Sequence, residues 1–156
     1  VSPLPPLQIH ATCVARDGLG VLLRGASGAG KSDLGFRLMD RGFALVADDR
    51  VELRRDGERL LARAPAALSG LIELRGIGIV AVDAPVVEAP IGLVVDLVAP
   101  EAVERLPEPA VAAYLGAAVP LLALDPFAAS APAKIAFALR TPAALGAAAA
   151  ARKPAA

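Results

Sequence analysis

Aromatic residues make up 3% of the 156-residue chain, and tryptophan is absent. The core must therefore be built from Val, Leu, Ile and Ala, a set that suits a sheet covered by helices. A single cysteine, Cys13, excludes an internal disulfide framework and fits a reducing compartment. It sits in an apolar run, so it reads as a small core residue rather than a nucleophile. Net charge is lacking too, because 16 basic and 16 acidic residues cancel. Such a chain has no global field to gather nucleic acid, and no Lys/Arg run with interleaved aromatics occurs. No stretch of ~18 apolar residues is free of charge or proline, and no basic segment leads into an apolar one at the N-terminus. The expectation is a soluble, cytoplasmic protein with no membrane and no nucleic-acid partner.

What is abundant is small and aliphatic. The apolar fraction is 56%, above the usual ~45–50%, and much of the excess is alanine. The length fits one domain with a real core. Leu7 to Ala15 reads as one strand, Arg16-Asp17-Gly18 as a turn, and Leu19 to Leu23 as a buried strand. Lys31 to Arg41 reads as a helix, with Leu34, Leu38 and Met39 at helical spacing and Gly42 as its stop. Phe43 to Ala47 is a short strand, and Val51 to Arg63 a hairpin around Arg55-Asp56-Gly57. Leu71 to Val82 is strand-like at both ends, with Arg75-Gly76-Ile77-Gly78 between. Ile91 to Val98 is a further buried strand, and Ala102 to Leu106 a short helix. Val119 to Leu124 and Lys134 to Leu139 are expected strands, separated by an Asp125-Pro126 turn. Residues 1–142 then form the folded domain, and the Ala-rich stretch 143–156 is a frayed helix or disordered tail.

The most specific local signal is Gly25-Ala26-Ser27-Gly28-Ala29-Gly30-Lys31-Ser32. It meets the pattern G-x-x-x-x-G-K-[S/T], after a strand and before an amphipathic helix. Gly25, Gly28 and Gly30 let the backbone turn so that successive N–H groups point inward as an anion nest. The helix starting near Lys31 adds its positive end. Lys31 brings a cation for the β- and γ-phosphates, and the Ser32 hydroxyl is placed to ligate Mg²⁺ bridging them. The segment thus predicts a nucleotide-phosphate site and, with it, phosphoryl transfer.

Asp48 and Asp49 close a buried strand, where a phosphate-loop enzyme keeps a carboxylate for Mg²⁺. Adjacent strand residues point to opposite faces, so only one can face the phosphates unless the strand has already broken. The second is then a candidate general base, while a cap or a solvated turn is the plain alternative. His10, the one histidine, lies in an apolar strand and by itself reads as a core residue. Glu73 and Arg75 flank Leu74 in an apolar stretch. Charges there are costly unless they pair with each other or meet a charged ligand. Arg105 lies in a charged, surface-like stretch.

Taken in order, these segments resemble the catalytic domain of the HPr kinase/phosphorylase family over roughly Ile9 to Arg105. The resemblance rests on the His of the first strand, then G-x-S-G-A-G-K-S-D-L, L-V-A-D-D-R-V and I-E-L-R-G-I-G-I. It implies an α/β fold, a phosphate-loop kinase domain with a mixed sheet, akin to phosphoenolpyruvate carboxykinase. It also implies an ATP- and Mg²⁺-dependent kinase acting on a serine of HPr, the phosphocarrier of the sugar phosphotransferase system. The reverse reaction, phosphate attacking phosphoserine to give pyrophosphate, belongs to the family too. By matched position Asp49 becomes the base, Glu73 a second Mg²⁺ ligand beside Ser32 and Asp48, and His10 and Arg105 catalytic-site residues. Arg75 through Ile79 shape the site used in both directions. A hexamer is implied by the same resemblance.

The sequence departs from the family at three places. It begins just before the His strand, which suggests a short form without the N-terminal domain. The basic P-x-R-P-G-R-N segment tied to dephosphorylation has no counterpart, and Lys134 is the one cation between Asp125 and Lys134. The C-terminal helices that grip HPr correspond to the Ala-rich stretch. Two other functions compete with the kinase reading: a small-molecule kinase, for which no Arg-rich lid segment is found, and a phosphate-sensing module without transfer.

Overall fold

The computed structural model describes residues 5–141. Its strands are β1 (Leu7–His10), β2 (Thr12–Arg16), β3 (Leu19–Arg24), β4 (Ala44–Ala47), β5 (Arg50–Asp56), β6 (Arg59–Arg63), β7 (Leu71–Leu74), β8 (Gly78–Ala81), β9 (Ala89–Leu97), β10 (Ala110–Tyr114) and β11 (Ala117–Leu124). Helix α1 (Lys31–Met39) follows β3, and α2 (Ala131–Arg140) follows β11. Short 3-10 turns lie at Ala66–Leu68 and Pro100–Ala102.

Nine strands form one mixed sheet, ordered β1-β5-β6-β9-β3-β2-β4, with the β10–β11 hairpin joined to β9. The long strand β9 makes this possible. Its start, Ala89–Pro90, pairs antiparallel with β6, while Val94–Leu97 pairs parallel with β11. Its other edge pairs parallel with β3. Strands buried on both faces read as continuous apolar runs, as VLL in β3 and LVV in β9 do. Leu22 and Val94 face one core, with Cys13 of β2 and with Val51, Leu53 and Ala62 of β5 and β6. Leu23 and Val95 face the other, with Leu34 and Leu38 of α1 and Ile135 and Leu139 of α2. The three parallel strands β3, β9 and β11 all end on the side where α1 begins, the usual ligand side of such a sheet.

Several expectations change. Lys134 to Leu139 is not a strand but the body of α2. Its alternating Ile135, Phe137 and Leu139 mimic a strand, yet Ala131, Ile135, Ala138 and Leu139 make one buried helical face and Phe137 stays exposed. The expected single strand Leu7 to Ala15 breaks at Ala11, because its first half pairs with β5 and its second with β3 and β4. Strand β10 was not foreseen; it is a short outer strand with Val111 exposed, so no inward apolar stripe marks it. The helix expected at Ala102 to Leu106 reduces to the 3-10 turn Pro100–Ala102. The predicted boundary at 142/143 and the tail 143–156 lie outside the described residues. Among those described, no helix is long and apolar enough to cross a membrane.

Two tests follow from the packing. A Cβ on Gly35 of α1 would sit 2.9 Å from the Cγ2 of Thr12, which is fully buried. Alanine favours the helix by ~1 kcal/mol, but overpacking costs ~1–3 kcal/mol, and Thr12 is held by a hydrogen bond. Gly35→Ala should therefore lower stability by ~1 kcal/mol in urea unfolding; a gain would mean the contact is slack. Burial also pushes the Cys13 thiol up to about 12. Between the unfolded value of ~8.5 and that value, the unfolded chain loses a proton that the folded chain keeps. Stability from this group thus falls as pH rises through that window. Native protein at pH 8 should leave Cys13 unmodified by a thiol reagent, and urea should make it react fully.

Candidate active site

The loop forms because its sequence allows a turn that other residues resist. Gly28 and Gly30 take positive φ of 81° and 101°, and Ala29 N–H donates to Ala26 O at 3.0 Å. Leu34 N–H to Gly30 O, 2.9 Å, then starts α1. Lys31 Nζ lies across the loop, donating to the carbonyls of Gly25 (2.8 Å) and Ala26 (3.0 Å). Gly25 through Gly30 thus form one turn at the end of a central parallel strand, and Lys31 and Ser32 open α1.

Asp48 is the centre of the cluster beside this loop. The residue is only 6% exposed. Oδ1 accepts from the hydroxyls of Ser32 (2.7 Å) and Thr12 (2.9 Å), and Oδ2 from the Glu73 backbone N–H (3.0 Å). Three donors meet the need of a buried carboxylate. One sequence-predicted residue, Ser32, is thereby tied to another, Asp48, and the hairpin β7–β8 is docked on both.

The strand does break between the two aspartates. Asp49 adopts φ 67°, a left-handed conformation that Asp tolerates better than most residues. Its side chain turns outward, 65% exposed, with Oδ1 3.8 Å from His10 Nδ1. His10 is itself 68% exposed, so the reading of it as a core residue is overturned. It ends β1 opposite Arg50 of β5, which places it beside Asp49. Arg50, the next residue in the chain, lies with its Nε 4.0 Å from Asp49 Oδ2.

Glu73 and Arg75 do not pair: no ion pair or side-chain bond joins them among the described residues. The expected cost of charge in an apolar strand also disappears, because β7 belongs to a two-stranded outer hairpin and Glu73 is exposed. Its backbone contact with Asp48 puts it next to the cluster. Arg75 and Ile77 form the hairpin tip, closed by Ile77 N–H to Leu74 O at 2.9 Å. Arg105 lies exposed in the irregular stretch before β10, and no bond ties it to the loop or to the aspartates. Among the described residues, no three His, Cys, Asp or Glu side chains converge as a metal cage.

Three supports were missed in the sequence. Thr12 could have been suspected, since a fully buried hydroxyl needs a partner. Arg24, just before the loop, donates two hydrogen bonds to Asp96 at 2.7 and 2.9 Å and one to Tyr114 at 2.8 Å. The bonds to Asp96 chiefly hold its pKa even further above the usual guanidinium value. They clamp the end of β3 to β9 and β10. Pro126 and Phe127 pack against Gly30, and Arg37 of α1 donates to the Pro126 carbonyl. No local motif signals these last contacts.

The chain is similar to known proteins over most of its length. The family described as HPr Serine kinase C-terminal domain matches residues 4–124. HPr kinase/phosphorylase of Listeria welshimeri is 46% identical over 77 residues, 49% of this chain and 25% of that protein. The Exiguobacterium protein of the same name is 47% identical over the same length and shares. The matched stretch spans about a quarter of the length of these curated relatives. The solved HPr(Ser) kinase/phosphatase from Coxiella burnetii superposes with a TM-score of 0.76 at 30% identity, covering 88% of this chain and 91% of that one. By that match and by the loop and aspartate pair built on a mixed sheet, the chain belongs to the HPr serine kinase C-terminal domain family.

Proposed function

We propose that the chain transfers the γ-phosphoryl group of ATP to a serine hydroxyl of HPr or an HPr-like carrier. The observation that carries this reading is the division of labour between the two aspartates. Asp48 is buried and bonded to the loop serine, whereas Asp49 is turned out to where a protein substrate can reach it.

The loop's N–H groups and Lys31 bind the phosphates and offset charge on the group in transfer. Mg²⁺ is bound through one or two carboxylates together with phosphate oxygens and water, not by an all-protein cage. The Ser32 hydroxyl and Asp48, 2.7 Å apart, fit that kind of incomplete set, and Glu73, whose backbone N–H meets Asp48, is the further ligand in this reading. Bound there, the metal would neutralise charge shared by the β- and γ-phosphates. Asp49 accepts the proton of the attacking serine as its oxygen bonds to the γ-phosphorus and ADP leaves. His10 orients the Asp49 carboxylate. Arg105 would act on the transferred group once the irregular stretch that bears it brings it to the loop. Run in reverse, with phosphate as acceptor, the same groups would give pyrophosphate and free serine. The carrier and the reverse activity come to this chain from the names of its relatives, and a hexameric assembly only from the family resemblance.

Labelled ATP with HPr of the same organism should place label on one serine; absence of label, with ATP still bound, would leave the sensing module as the better reading. Asp49→Asn should hold ATP within ~2-fold and cut transfer by ~10²–10⁴. Near-wild-type transfer by that variant would remove Asp49 from the role of base. Lys31→Ala should weaken ATP binding by ~10-fold or more, read by calorimetry; unchanged affinity would mean that the phosphates bind elsewhere.

A further inference from the structure

Two segments touch the phosphate loop and then run on past it. Leu97, at the end of β9, packs against Gly25, and the chain continues through Pro100 to Val103. Pro126 and Phe127, after β11, pack against Gly30, and the chain continues into α2. Val98 N–H to Leu124 O, 3.0 Å, joins the two segments where they leave the sheet. Beyond that point they enclose a cavity of about 210 Å³ lined by Pro100, Val103, Leu124, Asp125, Ala128, Ala131 and Lys134. None of the predicted site residues lies in it.

We infer that this cavity takes the purine base of the nucleotide whose phosphates the loop binds, with Asp125 accepting a hydrogen bond from the base's amino group. The inference rests on the nucleotide reading of the loop. Its volume is below the ~300–1,000 Å³ of pockets for whole drug-sized ligands, a size for one ring system. The walls are apolar from both sides, as an aromatic base needs, with Val103 and Pro100 across from Ala128 and Ala131. Position fits as well. The cavity opens at the carboxyl ends of parallel strands, two strand spacings from β3, about 10 Å, a gap that a ribose and its phosphate bridge. Arg37 ties the Pro126 carbonyl to α1, so the cavity and the loop are held in one frame.

Asp125 is the polar group that would choose the ligand. Its Oδ1 accepts the Phe127 N–H at 2.9 Å, which fixes the carboxylate's orientation. Oδ2 has no bonded partner among the described residues. A carboxylate accepts and does not donate, so it favours a base edge with an N–H group over one offering only carbonyls. Lys134, exposed at the cavity's edge, is placed for the ribose side.

The test compares ATP with inorganic tripolyphosphate, which has the phosphates but no base. Wild-type protein should bind ATP more tightly than tripolyphosphate. Val103→Phe, which fills the cavity, should weaken ATP by on the order of tenfold and leave tripolyphosphate unchanged. Asp125→Asn keeps the shape and the Phe127 contact, so it guards against a folding defect. It should weaken ATP by several-fold, about one charge-assisted hydrogen bond, again sparing tripolyphosphate. Equal effects on both ligands, or none on either, would overturn the base site, as would wild-type protein binding the two ligands alike. Those outcomes leave the loop's role intact. Failure of wild-type protein to bind tripolyphosphate and ATP at all would instead overturn the nucleotide reading from which the inference starts.

Discussion

The Asp48 carboxylate holds the site together. A charge this deeply buried costs several kcal/mol unless hydrogen bonds replace its water. Here the donors come from three places in the chain, Thr12 of β2, Ser32 at the start of α1 and Glu73 of β7, and Asp48 itself directly follows β4. Losing any one donor leaves a buried oxygen less well paired and frees the element behind it. The position of the loop serine, the docking of the β7–β8 hairpin and the sheet end are therefore one linked arrangement.

That arrangement explains why two adjacent aspartates can do different things. In an unbroken strand they would face opposite sides of the sheet. With Asp48 drawn inward by three donors and Asp49 at positive φ, the chain turns out of the strand at once. Asp49 is left exposed beside His10, close to the loop but not bonded to it. A buried carboxylate held by three hydrogen bonds and an exposed one are separated by a single peptide bond. The clamp of Arg24 on Asp96 and Tyr114 does the corresponding work on the other side of the loop, where β3, β9 and β10 meet.

The loop itself was legible because everything it needs lies within eight consecutive residues. Its shape depends on local backbone freedom and on the helix that follows. The central strands were legible because burial on both faces writes an uninterrupted apolar run. Helix α2 was not, since Ile135, Phe137 and Leu139 alternate as in a strand, and only the neighbouring core shows that Ala131 and Ala138 complete a helical face. Strand β10 was hidden by its position at the outer edge of the sheet, where no alternation is imposed.

His10 shows the limit most clearly. Its apolar neighbours suggested burial, but β1 pairs with β5 at an edge, and His10 faces solvent beside Asp49. The sequence alone determined the tight turn from Gly25 into the helix at Lys31, because a glycine-rich turn before a helix is local chemistry. Tertiary structure decided which aspartate is buried against the loop serine and which faces solvent. Asp48 meets partners 16, 25 and 36 residues away, and only strand register brings such distant donors to one carboxylate.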